Sequence, residues 1–568
     1  MKSVAVETAK DLAAPSFHCG EAVRSPTIRA DLGACALLTF IWISPGLWIG
    51  LHGDFPINDD WAYARSVKAY VEAGSFSRPD WVWVPLITHT ILGWISSLFV
   101  GFSFEALRLV GFVSGWLGVL GTYVLLRQSG LRPMISGYGS AILALNPLYL
   151  NLSYTFMTDV PFTAFLVWSV ICIVHGIKTG KYWGHLLGFA LAIAATLSRQ
   201  FGVVVPAACA FALVLTRPQR WTRWCIASFI VALTAAIYLV VPLLIYKDRR
   251  NIAGDLHILN YALRQNTELY HILCYGTRHF MYLGLILAPL TAYLTLQRVI
   301  VSRSLILPAS VLSIIVLSGV IWQQWRLPGI NIINEHGVGP MEVLRQHEQL
   351  PRAGPLFWWP ITVIAIASAS SLTVYLLIRL WRQQSIWKRD SVFLVIVASA
   401  SIYFLIILTR HLDRYLIPLI PLATVILLYP LANSSTDSLM RLLPGIGVLL
   451  LMAAFSILGT RDYMVRNRAR WDLLNSLVER GVTADRIDGG FEFNGWNNYA
   501  DPRADRTRWT RRWVIDDEFV VSPAASLPGY RLEDTRTYRR TLWPGMERVR
   551  LFRRVSCGIG SKGDTTID

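Results

Sequence analysis

Charge is what this chain has least of. Asp, Glu, Lys and Arg make up 16% of its 568 residues, where about a quarter is usual in soluble globular proteins. With 54% hydrophobic residues and a mean hydropathy of +0.44, that scarcity excludes an ordinary soluble protein. Cysteine is scarce too. The seven cysteines have neither metal-ligand spacing nor a disulfide framework, and Cys35, Cys172, Cys209 and Cys225 lie within or beside apolar stretches. Cys274 and Cys557 are the two expected outside, and no bond between them is expected. No Walker-type loop, HExxH, dinucleotide glycine fingerprint or nucleophile elbow is present, so the chemistries those signatures carry have no support here.

What the chain does have is apolar length. Stretches of about 17–25 apolar residues, enough to cross a bilayer, lie near 34–52, 104–126, 134–151, 160–177, 184–199, 202–216, 224–245, 279–297, 304–322, 357–380, 391–409, 416–432 and 442–460. The expected fold is therefore a polytopic α-helical membrane protein of roughly 13 transmembrane helices. Twenty-two Trp and 22 Tyr suit its many membrane–water boundaries. The residues before the first stretch are polar, and no A-x-A site follows it, so an uncleaved first span is expected.

The formal charge of +17 marks topology here rather than nucleic acid. Arg127 and Arg132, Lys178 and Lys181, Arg217, Arg220 and Arg223, Arg298 and Arg303, and Arg382, Lys388 and Arg389 all fall in connections on one side, as the positive-inside rule requires. The division that follows is a cytoplasmic segment 1–33, a membrane domain 34–460 with outer loops 53–103 and 323–356, and an extracytoplasmic domain 461–568. In the first outer loop an amphipathic helix ends at Gly74, and an apolar helix near 84–100 is expected to lie in the interface. The last segment is more polar, with alternating runs such as Phe519-Val520-Val521, and predicts a small α/β domain.

Four polar groups then stand at the outer face. Asp59 and Asp60 follow Asn58 at a helix start; a carboxylate pair suits proton abstraction from an acceptor, although acids at a helix N-terminus with Asn58 as cap explain it equally. Asp159, before Pro161, has the same two readings. Arg199 runs against the positive-inside trend, which a bound phosphate would explain, as would snorkelling to headgroups. Arg410-His411-Leu412-Asp413-Arg414-Tyr415 suits a second phosphate clamp, with Asp413 able to neutralise an arginine. The Asp488–Trp496 segment mixes glycine, aromatic and polar residues, and reads as a tight turn with core aromatics ahead of a carbohydrate or peptide contact.

These residues, in this order, resemble the GT-C membrane glycosyltransferases, in particular the family 39-like protein O-mannosyltransferases and lipid A aminoarabinose transferases. The stretch Asn58-Asp59-Asp60-Trp61-Ala62-Tyr63-Ala64 through Gly74 is similar to the family's acidic first outer loop, with Asp60 where Glu is commoner. Gly101 to Leu109 is similar to the start of its second span, Asp159 to its second acidic position, and Arg414-Tyr415 with Pro418 to its late RY-x-x-P motif. Arg199 stands where the family usually has a phosphate-binding lysine. The likeness covers about residues 35–430. One departure is Trp83-Val84-Pro85-Leu86, where aminoarabinose transferases carry a lysine in a KPPL-like stretch, and His89 is the available substitute.

The resemblance implies an inverting transferase that uses a polyprenyl-phosphate sugar. Asp59, Asp60 and Asp159 would be catalytic, with Asp59 the general base. Arg199, Arg410, His411, Arg414 and Tyr415 would hold the donor phosphate, and Tyr63 and His89 would contact substrate. No cofactor is called for, and a divalent metal at the acidic pair is compatible but not required. The partners would be the lipid-linked sugar, an acceptor protein, glycan or lipid, and the membrane, without nucleic acid. The expected location is a bacterial inner or plasma membrane with the site facing outward. The alternative is a transporter or lipid flippase, whose polar groups would sit nearer the bilayer midplane.

Overall fold

The structure, a computed structural model, describes residues 28–216, 221–248, 253, 268–296, 303–329, 331–340, 344–345, 350–382, 390–410, 412–432, 439–508 and 511–555. Arg217, Arg220, Arg298, Lys388, Arg389, His411 and Cys557 lie outside these residues. The helices are α1 (Ile28–Ile49), α2 (Asp60–Ala73), α3 (Ile87–Val100), α4 (Phe104–Gln128), α5 (Pro133–Ala144), α6 (Pro147–Leu152), α7 (Asp159–Thr179), α8 (Tyr182–Ser198) and α9 (Val204–Thr216). They continue as α10 (Trp221–Tyr246), α11 (Glu268–Ile286), α12 (Ala288–Leu296), α13 (Arg303–Gln323), α14 (Pro355–Arg382), α15 (Ser391–Ile407), α16 (Leu419–Leu428), α17 (Leu439–Glu479) and α18 (Phe491–Asn498).

Among the described residues seven of these, α1, α4, α7, α10, α13, α14 and α17, are long and apolar enough to cross a membrane, and five shorter apolar helices accompany them. The polytopic helical architecture is as expected. Their burial sorts them: the apolar window of α7 is 72% buried, that of α10 only 11% and that of α13 17%. So α7 is central, while α10 and α13 present faces of large apolar residues outward.

At three places the apolar runs fold differently from single straight spans ending where their sequence does. The run 134–151 breaks at Asn146-Pro147, where the Asn146 side chain accepts from the amides of Leu148 (2.9 Å) and Tyr149 (3.2 Å) and Pro147 opens α6. An Asn-Pro pair is a turn signal, masked here by its apolar flanks. The runs 184–199 and 202–216 are divided by a 3-10 turn at Gln200–Val203 that holds Arg199 at the corner. The last run does not stop at 460. Helix α17 is 41 residues long and continues through Glu479, so the membrane part and the C-terminal part share a helix instead of a linker.

Small residues let the central helices meet. A Cβ on Gly184 would lie 2.7 Å from the Cα of Gly176, so α8 packs backbone against backbone on α7, as small-residue crossings in membranes do. Helices α4 and α7 both begin at the end that carries the outer loops. They finish at the opposite end, where Arg127 pairs with Asp31 at 2.7 Å and Lys178 reaches the Gln128 carbonyl.

The C-terminal part is a four-stranded sheet with order β3-β4-β6-β5, formed by β3 (Ile487–Asp488), β4 (Phe519–Ser522), β5 (Tyr530–Arg540) and β6 (Gly545–Arg554). Strands β3 and β4 are parallel, and the β4–β6 and β5–β6 pairs are antiparallel, with Phe519 opposite Arg553 and a bulge between Leu532 and Asp534. The outer loop before α14 adds a small hairpin, β1 (Ile333–Asn334) with β2 (Gly337–Val338).

Candidate active site

The loop before α2 is folded around a buried cation. Arg108, on the first turns of α4 and fully buried, donates to the carbonyls of Leu51 (3.2 Å), Gly53 and Phe55. Asp54 accepts from the Phe104 amide at 2.6 Å, and Glu105 from the Gly53 amide at 2.5 Å. This knot fixes where the chain turns into α2. The turn itself is made by Asn58, at φ +57°, a left-handed conformation that asparagine tolerates better than most residues.

The acidic pair therefore enters α2 with its two carboxyls in different surroundings. Asp59 occupies the cap position but makes no side-chain cap bond. Its Oδ1 accepts instead from Trp81 Nε1 at 2.9 Å, and its Oδ2 lies 3.7 Å from Arg414 Nη2. Asp60 points the other way into the protein and is 1% exposed. Its Oδ1 accepts from the Phe156 amide at 2.9 Å, while Oδ2 is buried without a partner. Burial pushes the Asp60 carboxyl up to about 8, against the lowering effect of the Phe156 amide and the Arg108 charge. Burial thus favours the protonated form of Asp60, while Asp59 lies beside a fixed guanidinium.

Asp159 and Arg199 are brought together as a buried ion pair, linking the first turn of α7 to the corner after α8. Asp159 stands in the first turn of α7, where Thr158 holds the cap position; one of its oxygens takes the Arg199 bond and the other is buried without a partner. The Arg199 guanidinium stacks 5.0 Å from Tyr415 and 5.5 Å from Phe201, and its Nε is without a partner. Arg410 lies over the same Phe201 ring at 5.5 Å, and Arg414 lies 5.9 Å from the Tyr415 ring. The two oxygens of Asp413 accept from the Ile332 and Ile333 amides at 3.2 and 2.9 Å, anchoring the second outer loop. Tyr63, on α2, packs edge-on to His89 at 5.8 Å. His89 stacks on Phe156 at 4.0 Å, with Nε2 2.9 Å from its carbonyl oxygen.

Three carboxylates, three arginines and two tyrosines from distant parts of the chain thus meet at one end of the bundle. Sequence reasoning missed Trp81 and Arg108. Arg108 carried the same signal as Arg199, a cation at the outer end of an apolar helix, and Trp81 sits in the aromatic run Trp81-Val82-Trp83. Among the described residues no three His, Cys, Asp or Glu side chains gather closely enough to hold a metal.

Fold and site together describe a multi-pass membrane protein with a polar centre at one membrane face, next to a small α/β domain. Residues 84–246, from α3 through α10 and including Asp159 and Arg199, match the dolichyl-phosphate-mannose-protein mannosyltransferase family. That match supports the likeness to GT-C membrane glycosyltransferases. Among solved structures, the chain is similar to ArnT from Cupriavidus metallidurans bound to undecaprenyl phosphate, at 13% identity and a TM-score of 0.39 over 80% of this chain and 73% of that one. The apo form of that protein aligns at 11% identity and a TM-score of 0.37, covering 92% and 97%. The Archaeoglobus fulgidus oligosaccharyltransferase aligns at 14% identity and 0.38, covering 79% and 58%. No curated protein sequence matches the chain.

Proposed function

We propose that this chain is an inverting membrane glycosyltransferase that takes its sugar from a polyprenyl-phosphate donor at the extracytoplasmic face. The observation that carries the reading is Asp59. It is a carboxylate held off its helix and set against Arg414, at the same end as the Arg199, Arg410 and Tyr415 cluster.

In the proposed reaction an acceptor hydroxyl loses its proton to Asp59 as its oxygen attacks the anomeric carbon. The bond from that carbon to the phosphate oxygen breaks from the opposite side, and polyprenyl phosphate leaves with the electron pair. Arg414 and Arg199 would meet the charge that develops on the phosphate. Fixed cations of this kind in a dry site stabilise such charge without reorganising. Arg199 retains donors beyond the one used by Asp159, and Arg414, 3.7 Å from Asp59 and beside the Tyr415 ring, keeps its Nε without a partner. A transporter reading has less support, because the polar groups sit at helix ends instead of along a central path.

The test is release of undecaprenyl phosphate from a panel of labelled undecaprenyl-phosphate hexoses and pentoses, using the full chain in liposomes with envelope acceptors. Asp59→Asn should lower turnover by about 10²–10⁴-fold, the usual worth of a general base, and leave donor binding intact. Release by the wild-type chain from no member of the panel would remove the reading.

A further inference from the structure

The C-terminal domain is joined to the acidic pair by two indoles. Trp61, on α2 two residues beyond Asp59, is fully buried. It lies 4.7 Å from Trp513, 5.0 Å from Tyr499 and 6.1 Å from Phe491, ring centre to ring centre. Trp81 meets the same group, 5.3 Å from Trp513 and 5.7 Å from Phe491, with the Arg512 guanidinium 4.9 Å over its ring. Its backbone amide donates to the Tyr499 hydroxyl at 2.9 Å, and its indole N–H to Asp59 at 2.9 Å.

Two features show that this joint is built closely. A Cβ on Gly495 would lie 2.6 Å from the Trp61 ring, so α18 approaches α2 only because that position is glycine. Trp513 has φ +60°, a backbone conformation that a bulky residue keeps only where its surroundings determine it strongly. Further bonds cross the same joint: the Asn58 amide donates at 3.3 Å to Glu492, itself paired with Arg470 at 2.8 Å within the C-terminal part, and Arg65 donates to the Trp496 carbonyl at 2.5 Å.

From this geometry we infer that Trp81 is a positioning residue, through which the C-terminal domain holds the Asp59 carboxylate in line with Arg414. The inference rests on the reading of Asp59 as the base. The Trp81 bond is the shorter of the two contacts on that carboxylate, 2.9 Å against 3.7 Å to Arg414. Without the indole N–H the carboxylate is free to rotate fully onto the arginine, which takes its lone pairs away from an acceptor. The domain therefore completes the site through Trp81.

The test keeps the ring and removes only the donor. Trp81 is replaced by its benzothienyl isostere, and separately by Phe, in the full chain in liposomes. The probe is the undecaprenyl-phosphate sugar of the panel that the wild-type chain turns over fastest. The isostere should lower kcat about 10-fold or more, the worth of a hydrogen bond to a charged group, with the donor KM unchanged. Trp513→Leu should show the same split, and combining it with the isostere should add no further loss, because both act through one contact. Wild-type kcat in the isostere, a change confined to KM, or multiplied losses in the double variant would each overturn the inference. Asp59→Asn, run beside them, separates the two failures: an inactive Asp59→Asn with a fully active isostere removes only the positioning role, whereas an active Asp59→Asn removes the base and this inference together.

Discussion

Two adjacent aspartates of identical chemistry receive different environments here. Asp59 faces a tryptophan N–H and an arginine, while Asp60 is turned into the protein with one oxygen unpartnered. Burial of the Asp60 carboxyl has a consequence for stability. Its folded value, about 8, lies above the ordinary 3.8, so the folded state holds a proton that the unfolded state has lost. The stability tied to that proton is complete below about pH 4 and disappears as pH rises through 8. Thermal unfolding in detergent should therefore give a Tm that falls between about pH 4 and pH 8 in the wild type, and falls less steeply in Asp60→Asn. Equal slopes in the two proteins would show that Asp60 is not the buried acid described. The Asp159–Arg199 pair is the other buried charge pair of the site. Because the loss of one partner strands the other in a dry interior, its single variants report on folding as well as on phosphate.

At the scale of elements, α7 and α8 pack backbone against backbone at the end away from Asp159 and Arg199, where a Cβ on Gly184 would lie 2.7 Å from the Gly176 Cα. Gly184→Val should force the helices apart and destabilise the protein by about 1–3 kcal/mol, the common cost of overpacking. Gly137→Ala in α5, where an added Cβ meets nothing within 4 Å, is the matched control and should leave Tm within experimental scatter. A Gly184→Val protein as stable as that control would mean that the crossing is not tight.

For the whole molecule, the acidic pair, the arginine cluster and the sheet domain all lie at one end, and the Arg127 and Lys178 connections at the other. Opposite ends of a bundle of membrane-length helices must face opposite sides of the bilayer. A reporter fused after residue 480, beyond α17, should thus be active only outside the cytoplasm, and one in the 178–181 connection only inside. A cytoplasmic signal from the first fusion would place the site on the wrong face for the proposed donor.

The sequence by itself determined the class of molecule, because apolar length and the one-sided placement of Arg and Lys follow from the physics of the bilayer and need no tertiary contact. It also marked Asp59, Asp60, Asp159, Arg199 and Arg414 as outer-face polar groups, since a charge beside an apolar span stands out locally. Where helices end was less legible: the apolar run through Asn146 hid a break, and α17 passes through 461 because nothing at that point in the chain terminates a helix. Which charge faces which was decided by tertiary structure alone. Asp159 pairs with an arginine 40 residues away, Asp413 holds amides 80 residues earlier, and Asp59 accepts from Trp81, whose ring rests on Phe491 and Trp513 more than 400 residues on. Such pairings are set by packing and by the need to satisfy buried charge, and neither leaves a periodic trace in the chain.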